Sequence, residues 1–214
     1  MSDTEAQYVI LTPSGVLHAF SAITPNEQQQ ALQAILPSTQ AYTAQDWSER
    51  YSQIWLSMFL EAGWVELIDK ALLAPHVPLD TFLPYVVASL SGNRRAAVGT
   101  EAKLCLARIG FSQAEADKLC VAASDFFEFL KRQQERNWVV QGQAVSFFNT
   151  TDMLMPATSF IFLWIEGAGY WLVIEGEPLI NNRAFVELIW GIKADNERPL
   201  APVGVTDETQ TPQA

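Results

Sequence analysis

Glu166, Glu175 and Glu177 are the residues of this chain whose type and spacing suit acid–base chemistry. Glu175 and Glu177 flank Gly176 at an expected strand end, and Glu166 precedes the loop Gly167-Ala168-Gly169. Carboxylates that converge can divide the roles of general acid and base, or hold a cation. Dispersed, they are solvated loop acids that keep an apolar sheet in solution, and this plainer reading is preferred. Two histidines, His18 and His76, stand apart from each other, one in an expected strand and one in the Pro-flanked loop Ala74-Pro75-His76-Val77-Pro78. Neither belongs to an HExxH or comparable metal-binding pattern. Cys105 and Cys120 lie on either side of an expected turn at Gly110–Ser112 and could face each other as a redox pair. There is no CxxC spacing and no neighbouring histidine for a zinc site, so two buried thiols in a packing seam are expected.

The chain has no GxSxG nucleophile elbow, no GxxxxGK[ST] phosphate loop and no GxGxxG turn. No catalytic, cofactor-binding or metal-binding residue is therefore assigned. The possible interaction residues are Glu166, Glu175 and Glu177, with Arg94 and Arg95 from a basic island that also holds Lys103, Arg108, Lys118, Lys131, Arg132 and Arg136. That island resembles a helix-turn-helix only superficially. Its second helix is too long for a recognition helix, and its bases are interleaved with Glu101, Glu115, Asp117 and Glu128.

The elements that must position these residues follow from periodicity and turn chemistry. Tyr8–Leu11 and Val16–Phe20 flank Thr12-Pro13-Ser14-Gly15 and predict an N-terminal β-hairpin over 7–23. Thr24, Pro25 and Glu27 suggest a capped helix running to about Leu36. Trp47, Tyr51, Ile54, Trp55, Met58 and Phe59 recur at helical spacing over 45–62. The pattern resumes after Gly63 through Leu72. A helix over 80–90 follows. Arg94–Ile109 and Ser112–Gln134 predict a helical hairpin, with Ser112 and Glu115 forming a capping box. Trp138–Phe148, Ser159–Ile165 and Tyr170–Glu175 read as strands. Phe160–Ile165 is apolar on both alternating faces, so it should be covered on both sides. Residues 184–192 fit a helix or a strand, with strand slightly preferred. Pro, Thr, Gln and acids dominate from Asp195, predicting a disordered tail over 195–214.

The fold class expected is α+β: an N-terminal β-hairpin, a helical middle of about five helices and a mostly antiparallel C-terminal sheet. One domain should span 1–194, with its helical part at 24–136 and its sheet part at 138–193 plus 7–23.

Composition narrows the function. Among 214 residues 49% are apolar and 17% charged, which excludes a disordered chain. The 24 acids outnumber 13 bases for a net charge of −11, which disfavours nucleic acid. The charge is uneven: nine acids and two bases fall in 1–91, against six acids and eight bases in 92–137. Met1-Ser2-Asp3-Thr4-Glu5 is acidic and polar, unlike a secretory leader, so a cytoplasmic location is expected.

The function expected first is a non-enzymatic protein-binding module, inhibitor- or immunity-type or chaperone-like, that recognises a basic partner by charge complementarity. A second reading is an enzyme or small-ligand binder with a site between sheet and helices, near Trp164 and Trp171. A third is a nucleic-acid-binding regulator or structural subunit using 94–136. No cofactor and no membrane partner are expected, and association between copies of the chain is left open.

Overall fold

A computed structural model describes residues 6–37, 40–75, 77–136 and 144–197. The element order begins with β1 (Tyr8–Leu11), α1 (Pro13–Ala19), α2 (Glu27–Gln33), α3 (Ala44–Arg50), α4 (Gln53–Glu61), β2 (Val65–Ile68) and α5 (Leu79–Ala88). It continues with β3 (Arg95–Thr100), β4 (Cys105–Ile109), α6 (Gln113–Glu135), β5 (Ala144–Asn149), β6 (Asp152–Ile165), β7 (Ala168–Glu175) and α7 (Arg183–Asn196). The class is α+β, with one two-stranded and one five-stranded antiparallel sheet among the described residues.

An N-terminal antiparallel strand pair is present, but the partner of β1 is β2, in the register Tyr8↔Ile68 to Leu11↔Val65. The expected second strand at 16–20 is helix α1. The reason is local: Thr12 has extended backbone and its side chain accepts from the Gly15 amide at 3.0 Å, while Pro13 occupies the first helical position. The Thr-Pro-Ser-Gly sequence is thus a helix start, not a hairpin turn. The next cap also lies later than expected. Asn26 and Gln29, not Thr24 and Glu27, form the reciprocal capping box of α2.

Among the described residues five helices lie between 24 and 136, matching the expected number, but three strands are interleaved with them. The expected helix over 45–62 is two helices, because Ser52 caps a fresh start after Tyr51. The chain then leaves α4 through Gly63 in the left-handed region, φ 69°, and Trp64 onward is drawn out to pair with β1.

The larger correction concerns 94–109, which forms β3 and β4 instead of a helix. Ala96, Ala97 and Val98 are good or tolerable helix formers. Here they are fully buried, with β3 hydrogen-bonded between β4 and β7. Tertiary packing overrides propensity. Gly99 shows why small residues are needed: a Cβ there would sit 2.3 Å from the Trp171 ring.

The five-stranded sheet runs β4-β3-β7-β6-β5. A two-residue turn, Glu166-Gly167, links β6 to β7 with φ of 52° and 80°, matching the strand twist. Within β6, Phe160–Ile165 is covered on both faces, as its sequence requires. Phe160, Phe162 and Trp164 pack with Cys120, Ala123, Phe127 and Leu130 of α6. Ile161, Leu163 and Ile165 join the larger core, which holds α5, α7 and the N-terminal elements.

Residues 184–192 are helical, within α7. Phe185, Val186, Leu188, Ile189, Trp190 and Ile192 are all buried, so the helix is apolar nearly all round and displays both periodicities at once. The helix extends through Asn196, past the expected start of the tail. The rest of that tail from residue 198, residues 138–143 of the first expected C-terminal strand and His76 fall outside the described residues.

Candidate interaction surfaces

The expected interaction residues do not form one site. Arg95 on β3 is the centre of an ion-paired clamp. Its Nε lies 2.9 Å from Glu175 Oε2 and its Nη2 lies 3.1 Å from Glu115 Oε1. Nη1 donates to the Gly110 carbonyl, and the guanidinium stands 4.6 Å over the Phe111 ring. Arg95 and Glu175 face each other directly across β3 and β7. The clamp therefore fastens two strands to the start of α6. Arg94 is exposed, held at φ 58° just before β3. Glu177 is exposed in the following loop, where its carbonyl accepts from the Gly92 amide at 3.0 Å. Glu166 lies at the other end of β7. Seven residues of β7, Ala168 to Ile174, separate it from Glu175, roughly 24 Å at ~3.4 Å per residue. The two carboxylates cannot act on one atom.

Glu115 carries the strongest electrostatic signature. Hydrogen bonds from the Ser112 amide at 2.7 Å and hydroxyl at 2.8 Å, and then from Arg95, lower its pKa from 4.5 to about 2. The Glu115 amide donates back to Ser112 Oγ at 3.3 Å, completing the expected capping box. A folded pKa below the unfolded value means that the stabilisation is present above pH 4.5 and is lost as the pH falls from 4.5 towards 2. Glu115→Gln should therefore flatten the acid side of the stability curve in this window. Thermal midpoints measured at successive pH values check this, and an unchanged slope would show that Glu115 is not the group responsible.

The remaining candidates are structural. His18 stacks flat on Trp64, with centroids 3.7 Å apart, and burial lowers its pKa. Cys105 on β4 and Cys120 on α6 are free thiols bordering the same core cluster, and burial raises the pKa of each. Raised values keep them protonated and poorly nucleophilic. Trp164 and Trp171 are packed within the α6-side core. The Trp171 indole donates to the Thr100 carbonyl at 3.0 Å. Because 95–109 is a β-ribbon, the basic island contains no helix-turn-helix. Its Lys131 pairs with Glu101 at 2.6 Å, and Arg108 donates to the Phe111 carbonyl at 3.2 Å. Among the described residues no group of three or more His, Cys, Asp or Glu could share a metal ion, and no helix is long and apolar enough to cross a membrane.

Two surfaces stand out instead. The first is the N-terminal layer of β1, β2, α3 and α4, where Asp46, Glu49, Glu61, Glu66 and Asp69 are all exposed. Arg50, one of two bases in residues 1–91, is occupied by Tyr42 Oη at 2.9 Å and by the Tyr42 and Tyr51 rings. The second is the β5–β6 hairpin. Pairing of β6 with β7 begins only at Thr158↔Glu175, so Asp152–Pro156 and the end of β5 overhang the sheet as an arm. Its polar turn is flanked by exposed apolar side chains: Leu154 is 90% and Met153 69% accessible, with Phe148 and Met155 between 43% and 45%. A cleft of about 500 Å³ lies at its base, lined by Asn93, Asn149, Asp152, Thr158, Glu175 and Gly176.

Sequence reasoning missed the arm. The strand expected there starts at Ser159, whereas β6 starts at Asp152 and its first half is exposed. The available signals were Asp152 and Pro156, a charge and a proline confined to the half of β6 that stays uncovered. No family model matches the chain, and no curated protein and no solved structure matches it.

Proposed function

We propose that the chain is a non-enzymatic protein-binding module of the inhibitor, immunity or chaperone-like kind, selecting a basic partner by charge complementarity. The observation that carries this reading is the N-terminal layer, where five exposed carboxylates, Asp46, Glu49, Glu61, Glu66 and Asp69, outnumber the two exposed bases, Arg50 and Lys70. Such a surface accelerates encounter with a positive partner and rejects negative ones. Ile54, 78% exposed on α4, gives the layer an apolar anchor. The working compartment proposed is the cytoplasm, which the two free thiols support.

The test is affinity capture from extract of the organism of origin, followed by reconstitution with the purified captured protein. The wild type is compared with Glu49→Gln/Glu61→Gln/Glu66→Gln, three exposed changes that leave the core untouched. The expected partner is basic, and the variant should bind it at least about tenfold more weakly. A partner without excess positive charge, or equal binding by both proteins, would overturn the proposal.

A further inference from the structure

β5 is an edge strand of the five-stranded sheet, and among the described residues no strand pairs with its outer side. Edge strands are ordinarily blunted by lysine, other charges or proline, because an open ladder recruits further strands. Ala144–Asn149 carries none of these. Register shifts bend the ladder only from Phe147 onward, so Ala144–Phe147 remains a regular, open edge. Next to this edge the arm exposes Phe148 on β5 and Met153, Leu154 and Met155 on β6, four large apolar side chains within a few residues of one turn. Exposed apolar surface of this kind marks an interface.

Charge identifies the occupant. The chain carries −11, yet residues 144–165 hold a single acid and no base. A basic partner gains almost nothing from this face, whereas two copies of an acidic protein repel each other everywhere except across an uncharged one. A second copy also presents an identical edge, which antiparallel pairing about a two-fold axis satisfies on both sides. We infer that the chain forms a dimer with a second copy of itself, β5 against β5, each arm covered by the other copy. The dimer face is distinct from the acidic layer assigned to the basic partner, so either inference can fail alone.

Sedimentation velocity over a range of protein concentrations tests this, with the wild type, Leu154→Asp and Met153→Asp. Both substitutions sit on exposed side chains, and circular dichroism verifies that each variant folds. The wild type should sediment as a dimer, and each variant should raise the dissociation constant about a hundredfold by placing an unpaired charge in the contact. Added salt should leave the dimer intact or strengthen it by screening the like charges, the opposite of its effect on a complex with a basic partner. A wild type that stays monomeric throughout would overturn the inference. So would dimers equally strong in both variants, or a monomer that binds neutral lipid vesicles through the arm.

Discussion

Gly15→Ala should destabilise the protein by about 2–4 kcal/mol, although alanine is favoured over glycine inside a helix by about 1 kcal/mol. The reason is contact across elements. A Cβ at Gly15 would stand 1.9 Å from the Trp64 carbonyl oxygen and 2.8 Å from its carbon. That carbonyl already accepts from the Thr12 amide at 3.0 Å, and Thr12 Oγ1 donates to the Gly63 carbonyl at 2.6 Å. The first turn of α1 is therefore bonded to the α4–β2 junction, and a methyl group must force the two apart. Both colliding partners are backbone, so neither can rotate away. Urea unfolding of the variant measures the loss. A variant as stable as the wild type would mean that α1 does not pack on Trp64 in this way.

Phe162→Ala should cost about 3–5 kcal/mol, the range for deleting a buried ring without collapse of the space it leaves. Phe162 is fully buried, edge-on to Phe127 at 5.0 Å and within 5.9 Å of Phe126. It sits where β6 meets α6, so the cavity opens between the sheet and the helix that covers it. Phe147→Ala, on the same face but 49% exposed, should cost only roughly 1 kcal/mol. Equal losses from the two changes would contradict a sheet sealed by α6 over β6 and open at β5.

How much of this was legible in the residues depends on which physical term decided each element. The α6 seam of Ala116, Cys120, Ala123, Phe127 and Leu130 was readable because one face of a long helix is buried and the other is solvated. So was the two-sided burial of Phe160–Ile165, because covering both faces leaves no polar position in the alternation. β3 was not readable. Its alanines suit a helix, and only the proximity of Trp171, about seventy positions later, makes small residues in a strand the better solution. α7 was ambiguous for the opposite reason, since burial on nearly every side erases the helical period. Of the interaction residues, Glu175 and Arg95 do meet, yet as an ion-paired clamp within the fold. Their pairing depends on strand register, which no local pattern encodes. The arm was hidden because a buried strand and an exposed apolar hairpin are written in the same side chains.

The central claim is that the exposed acids of the N-terminal layer do the recognising. The rate of association with the captured basic partner, measured against ionic strength, tests it most directly. The rate should fall steeply as salt is added, and Glu49→Gln/Glu61→Gln/Glu66→Gln should show a shallower fall from a slower start. A rate indifferent to salt, with wild type and variant superimposed, would contradict it.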